Sequence, residues 1–69
     1  MAKNYHKFEL TRKEDPTSVT ELMRITQKRA EDLGARARLH IKDGSNYLIV
    51  GFSEAFNHLK AGKQLYLVS

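Results

Sequence analysis

The chain contains no cysteine and no long run of apolar residues. Without cysteine there is no disulfide framework or thiolate metal site, so packing alone must hold the fold, which suits a reducing cytoplasm. The opening MAKNYHKFEL lacks the apolar run of a signal peptide, and no segment approaches the ~20 apolar residues that cross a bilayer. We therefore expect a cytoplasmic protein that does not enter the membrane.

The length of 69 residues predicts a single domain over residues 1–69. A domain this small buries only roughly 60% of the surface that its unfolded chain exposes, so we expect one thin core and no cleft that encloses a large substrate. Twelve Lys and Arg against eight Asp and Glu give a net charge of +4 and a pI near 9.6. This balance favours polyanionic partners.

The sequence pattern of the first half of the chain predicts a strand followed by a helix. Residues 5–12 alternate between polar and apolar side chains, which predicts a half-buried strand. Apolar residues recur at helical spacing over Val19–Leu33, which predicts an amphipathic helix ending at Gly34. Two starts are open for this helix, each with a capping side chain: Asp15 with Pro16, or Ser18 with Glu21.

The second half begins with a strand over residues 35–43, in which apolar and cationic side chains alternate. The step from Asp43 to Gly44 predicts a tight hairpin turn. Its partner, residues 47–52, is apolar on both faces, which indicates a central strand rather than an edge. A short helix capped by Ser53 and a last strand complete the pattern: residues 54–61 and residues 63–69.

This β-α-β-β-α-β order predicts an α+β fold, a two-layer sandwich with two helices on one face of a four-stranded, largely antiparallel sheet. Ferredoxin-like folds and HPr-like open-faced sandwiches share this order. The helices would cover one set of alternating strand residues and leave the other set open. The covered set is predicted to be Phe8, Leu10, Ala35, Ala37, Leu39, Ile41, Leu48, Val50, Phe52, Leu65 and Leu67.

Short motifs in the second half resemble the family of the phosphocarrier protein HPr. They are IKDG at residues 41–44, Ser53 before a short helix, and LKAGK at residues 59–63. The resemblance implies an open-faced sandwich. HPr proteins need a phosphoacceptor histidine at the start of the first helix, whereas residues 15–19 read DPTSV, so the resemblance implies topology and not phosphotransfer.

Cationic side chains follow one face of the strand predicted over residues 35–43, and aromatic side chains are predicted on the same open face. Alternate strand residues lie about 6.6 Å apart, so four such cations would span about 20 Å. Cations neutralise phosphates and flat rings stack on unpaired bases, so the pattern predicts a site for single-stranded nucleic acid. The predicted site comprises Arg36, Arg38, His40, Lys42, Tyr5, Lys7, Tyr47 and Tyr66.

A plainer interpretation of these residues stays open. Cations on a solvent-facing strand also discourage edge-to-edge aggregation, and tyrosines also pack across strands. The predicted sheet lacks the paired rings that RNA-recognition sheets carry on their third strand. The helix cations Arg24, Lys28 and Arg29 alternate with acids, so ion pairing along a solvated helix surface explains them better.

The sequence shows no catalytic or cofactor motif, so we expect neither an enzyme nor a bound cofactor. His6, His40 and His58 fall on three different predicted elements, and we expect none of them to stand at metal-ligand spacing with another histidine or with a carboxylate. The serines fall in caps and turns, and the turn after Asp43 lacks the glycine spacing of a phosphate loop.

Two functions fit these features. The first is a non-enzymatic nucleic-acid-binding protein that holds single-stranded RNA or DNA on its open sheet face. The alternative is a protein-interaction module, such as a small phage-type or accessory regulator or inhibitor. It would dock on the acidic surface of a larger host enzyme or add its edge strand to a partner sheet. Strand order discriminates between them, because the cations support base stacking only beside strands that carry Tyr5 or Tyr66.

Overall fold

The computed structural model describes residues 3–69 and contains the predicted β-α-β-β-α-β order. Four antiparallel strands form one sheet with two helices packed on it, so the expected α+β open sandwich is confirmed. Neither helix of the described chain is long and apolar enough to cross a membrane. The elements are β1 (Tyr5–Phe8), α1 (Val19–Leu33), β2 (Leu39–Asp43), β3 (Asn46–Val50), α2 (Phe52–Lys60) and β4 (Leu65–Val68).

The strands lie in the order β1-β4-β2-β3, so β4 and β2 are central and β1 and β3 form the edges. β4 pairs with β1 along the whole length of both strands, and with β2 through His40 opposite Tyr66. β2 and β3 form the predicted hairpin, in which Asp43 lies opposite Asn46. Gly44, with φ of 62°, takes the first position of the two-residue turn, where a positive φ is needed.

The expectation that residues 47–52 form a central strand is wrong, because β3 is an edge strand. Its side chains are apolar on both faces without being buried: Leu48 is 47% exposed and Ile49 is 61% exposed. An apolar pattern does not by itself require burial, since apolar atoms make up much of any folded surface. The predicted burial of Leu48 beneath the helices is wrong for the same reason.

The core lies between the helices and the inner face of the sheet. β4 shows the division between the two faces most clearly, because Leu65 and Leu67 are fully buried while Tyr66 and Val68 are half-buried on the opposite face. The other buried apolar residues of this core are Phe8, Leu22, Leu39, Ala55 and Phe56. The sheet therefore has one dry face and one face without a helix above it.

The start of α1 is set by the capping box rather than by residues 15–16. Ser18 is the N-cap, and its hydroxyl accepts a hydrogen bond from the Glu21 amide at 3.2 Å. The Glu21 carboxylate accepts one from the Thr17 amide at 2.8 Å. Gly34 ends the helix as predicted, with a φ of 66° that glycine adopts more readily than other residues.

β1 ends earlier than predicted, at Phe8 rather than at residue 12. From Phe8 onward, side chains rather than a partner strand donate hydrogen bonds to the backbone carbonyls. The Gln64 amide donates to the Phe8 carbonyl at 3.3 Å, and the Arg29 guanidinium donates to the Glu9 carbonyl. β4 is also shorter than the predicted residues 63–69. Its ladder with β1 ends at the pair of Phe8 and Leu65.

The second helix begins before the predicted residues 54–61. α2 starts at Phe52 with Gly51 as its N-cap, and no side chain caps it, so the predicted cap at Ser53 is wrong. Ser53 lies inside the first turn. Gly62 follows the helix with a φ of 75°, in agreement with the predicted stop.

One ion pair ties the β1–α1 loop to α1. Arg29 Nη2 lies 2.6 Å from Glu14 Oε1, and the same oxygen accepts a hydrogen bond from the Thr11 amide at 2.8 Å. Within residues 3–69, Arg24 and Lys28 form no ion pair, so the expected pairing along α1 is wrong. The hydrogen bond from Thr11, and then the contact with Arg29, lower the pKa of the Glu14 carboxyl against the opposing effect of partial burial.

We expect Glu14→Gln to remove a pH-dependent contribution to stability. The pKa of Glu14 is lower in the folded chain, so its carboxylate stabilises the fold above the unfolded pKa, and this contribution is lost as the pH falls through the folded pKa. Urea unfolding should show the variant less stable by about 1 kcal/mol near neutral pH, with the difference shrinking in acid. Glu54→Gln, at a carboxylate that is 61% exposed, is the control. If both variants show the same pH dependence, the contribution does not come from Glu14.

Two Gly→Ser variants should change stability in opposite directions. Gly51 has φ of −70° and ψ of 163°, so a serine there can cap α2 and form a capping box with Glu54. We expect Gly51→Ser to raise the free energy of unfolding by about 0.5 kcal/mol. Gly44→Ser should lower it by about 1 kcal/mol, because φ there is 62°. An added Cβ meets nothing within 4 Å at either position, so thermal or urea unfolding measures the new cap at residue 51 and the backbone conformation at residue 44 without a steric clash.

Candidate nucleic-acid interface

The sheet face opposite the helices carries one aromatic side chain from each of the four strands. We call Tyr5, Tyr66, His40 and Tyr47, from β1, β4, β2 and β3, the aromatic cluster. The rings of Tyr5 and Tyr47 stack with centroids 3.7 Å apart and planes at 11°. Tyr66 meets Tyr47 edge-on at 5.0 Å, and His40 meets Tyr5 edge-on at 6.3 Å. The predicted placement of these four side chains on one face is consistent with these contacts.

The stacked pair joins the two edges of the sheet. Neighbouring strands are about 4.8 Å apart, so the backbones of β1 and β3 are separated by about 14 Å. Tyr5 and Tyr47 must therefore lean inward over β4 and β2 to stack. Tyr47 and Tyr66 are half-buried, whereas Tyr5 is 37% exposed. Tyr5 is thus the ring of the cluster that is most open to a ligand.

Cationic side chains surround the aromatic cluster. The Lys42 ammonium lies 5.8 Å from the centroid of the Tyr47 ring, and Lys7 lies opposite Tyr66 in the β1–β4 ladder. Four exposed cations of the predicted site form no ion pair within residues 3–69: Lys7, Arg36, Arg38 and Lys42. In this part of the chain, no direct contact with a carboxylate therefore occupies these four cationic groups.

The prediction of one continuous strand over residues 35–43 is wrong, because β2 begins only at Leu39. Of the four cationic positions, His40 and Lys42 lie on the strand, and Arg36 and Arg38 lie in the segment before it. The predicted straight row of about 20 Å is therefore also wrong.

Competing hydrogen bonds explain the late start of β2. The Ala35 amide donates to the Ala30 carbonyl at 2.8 Å and closes the end of α1. The Arg38 amide then donates to the Arg36 carbonyl at 2.8 Å, which makes a γ-turn. A single bond, from the Arg36 amide to the Val68 carbonyl at 3.2 Å, ties this turn to β4. Both arginines are thereby held at one end of the open face.

At that end the two arginines line a concavity of about 530 Å³. His40 of the aromatic cluster also lines it, so the concavity and the cluster are continuous. Lys3 contributes a further cation that the sequence analysis missed. The sequence pattern could have identified Lys3. It lies two residues before Tyr5, and alternate residues of a strand lie on the same face of the sheet.

The remaining histidines make local contacts. His6 Nε2 lies 2.8 Å from the Ser69 hydroxyl. His58 Nε2 lies 3.9 Å from Glu54 Oε1, four residues earlier on α2. The expectation that no histidine stands at ligand spacing with a carboxylate is therefore wrong for this pair, because residues four apart on a helix lie on the same face. Across residues 3–69, no group of three or more potential metal-ligating side chains comes together.

No protein-family model, curated protein or solved structure matches this chain. The likeness to HPr therefore stays a resemblance of short motifs. Function is inferred from the geometry of the open face alone.

Replacing Tyr47 should destabilise the aromatic cluster more than replacing Tyr66. Tyr47 contacts both other tyrosine rings, and each aromatic pair contributes about 1 kcal/mol beyond the area it buries. We expect Tyr47→Leu to lower the free energy of unfolding by about 2 kcal/mol and Tyr66→Leu by about half as much. Urea unfolding measures both, and the ring protons of Tyr5 should lose their upfield NMR shift only in Tyr47→Leu. A larger loss for Tyr66→Leu contradicts this arrangement.

Proposed function

We propose that this chain is a small, cofactor-free, non-enzymatic protein of the cytoplasm that holds single-stranded RNA or DNA on its open sheet face. The observation that carries the proposal is the aromatic cluster, to which every strand contributes one side chain, with unpaired cations around it. Bases stack on aromatic rings and phosphates pair with Lys and Arg, so this combination suits an unpaired strand.

The strand order supports this proposal over simple protection of a sheet edge. Cations that prevent aggregation are useful on edge strands, where backbone groups are unpaired. His40 and Lys42 lie instead on the central strand β2, with Tyr66 of β4 on one side and Tyr47 of β3 on the other. The charge of Lys42 has no edge to protect, and it lies beside the Tyr47 ring.

The exposure of the rings suggests where a base would stack. Tyr5 and Tyr47 cover one face of each other, so each has at most one face left for a base. Tyr5 is the more exposed and lies on an edge strand, where a nucleotide can approach from the side. We therefore assign the first stacking position to Tyr5, with Lys7 and Lys42 near the backbone of the strand.

Salt-dependent binding tests the proposal. Labelled single-stranded RNA and DNA of about 12 nucleotides should bind at micromolar concentration or tighter in low salt. Four neutralised phosphates predict a log-log salt slope of about −2.8, and Arg36→Ala with Arg38→Ala should reduce it to about −1.4.

The matched control removes the same charge from the helix layer. Arg24→Ala with Lys28→Ala deletes two exposed cations of α1, so its salt slope should stay close to that of the wild type. Failure of the wild type to bind either nucleic acid in low salt contradicts the proposed function. Equal losses in the two double variants contradict the placement of the site.

The edge strand β3 favours a second candidate, a module that docks on another protein. β3 reads NYLIV without a charged residue, and Leu48 and Ile49 are exposed on its two faces. An uncharged edge can add to the sheet of a partner such as a larger enzyme. This function predicts a stoichiometric protein complex that survives nuclease treatment and is lost in Leu48→Lys.

A further inference from the structure

The concavity at the end of the open face combines two kinds of surface. Its volume of about 530 Å³ falls in the range of small-molecule sites. One part is cationic and another is apolar, and His40 lies in the lining as well. The residues that matter are Lys3, Arg36, Arg38, His40, Ile49 and Val68.

The cationic part is suited to a phosphate. Arg36 and Arg38 are joined by the γ-turn hydrogen bond, which limits the relative movement of their backbones. A guanidinium group donates two parallel hydrogen bonds to a phosphate, and neither arginine is paired with a carboxylate within residues 3–69. Lys3 adds a third positive charge to the lining.

The apolar part is suited to the flat face of a base. Ile49 is 61% exposed, the largest exposed fraction among the large apolar side chains of the described chain. Val68, on β4 at the other side of β2, is half-buried and also lines the concavity. An exposed Ile gains from being covered, at about 25 cal/mol per Å² of apolar surface removed from water. A base covering it would lie directly beside His40, because His40 is opposite Ile49 in the β2–β3 ladder.

His40 supplies a polar atom with no partner. Its Nδ1 is buried and finds no hydrogen-bond partner within residues 3–69. Buried polar atoms are almost always paired, and His40 lines the concavity, so a rotation of its ring would bring this unpaired atom to a ligand group that completes the bond. In the tautomer with hydrogen on Nε2, Nδ1 accepts, and the amino group of a base can donate to it.

We propose that this concavity seats one nucleotide of the bound strand, with its base on Ile49 and Val68 beside His40 and its phosphate at Arg36 and Arg38. The inference rests on the proposed function and assigns a subsite to it. The aromatic cluster stacks the neighbouring bases, and the concavity holds a nucleotide by base and phosphate together.

NMR titration of the full chain with AMP tests the subsite, using ribose 5-phosphate, adenosine and inorganic phosphate as separate probes. We expect AMP to shift the His40 ring and Ile49 amide signals and to bind at least about tenfold more tightly than any of the three fragments, because only AMP fills both parts. Ile49→Ser should weaken AMP binding about fivefold and leave inorganic phosphate unchanged. Leu48→Ser is the matched control, since Leu48 is the adjacent exposed residue of β3 on the opposite face.

Oligonucleotide binding measured on the same samples separates the two proposals. Salt-dependent oligonucleotide binding without AMP shifts at His40 overturns the subsite and leaves the proposed function standing. Loss of AMP binding in Leu48→Ser as large as in Ile49→Ser also overturns the subsite. Absence of both AMP and oligonucleotide binding overturns the proposed function and the subsite with it.

Discussion

The open face of this protein depends on β4 pairing on both of its sides. Among the strands of residues 3–69, β1 pairs with β4 alone, and β4 joins it to the β2–β3 hairpin. The two leucines of β4, Leu65 and Leu67, are fully buried against the helices. Burying two such side chains is worth about 4 kcal/mol, a large part of the stability of a typical small domain. The same strand turns Tyr66 to the other side, so the core and the aromatic cluster are held by alternate residues of one segment.

A sheet covered on one face must stabilise its other face without a helix. Here the aromatic cluster takes that role, since the rings of Tyr5 and Tyr47 span the two central strands from opposite edges. Cross-strand packing and base stacking are therefore not competing explanations of these rings. Packing fixes their positions, and the faces left uncovered are available to a ligand at little further cost in side-chain entropy.

Local patterns predicted the element order, the hairpin turn and the side of the sheet on which the aromatic residues lie, and they offered the Ser18 cap as one of two starts for α1. Strand order and exact strand ends depend on longer-range competition for hydrogen bonds. Alternation over residues 35–38 is the same in a strand and in a turn, and the bonds from Ala35 and Arg38 decide between them. β3 is apolar enough for a central position, yet β4 and β2 fill the two central positions and leave β3 at the edge. The pattern of apolar residues in one strand does not show which strands take the central positions.

The central position of β4 also orders the events of folding. The β2–β3 hairpin closes through a two-residue turn, whereas the contact between His6 and Ser69 joins residues 63 positions apart. Long loops close more slowly than short ones, so we expect β1 to be the last strand to join the sheet. Tyr5 arrives with it. During synthesis, we expect the aromatic cluster to be completed only after the segment that forms β4 has left the exit tunnel, because that strand carries Tyr66 and pairs with β1.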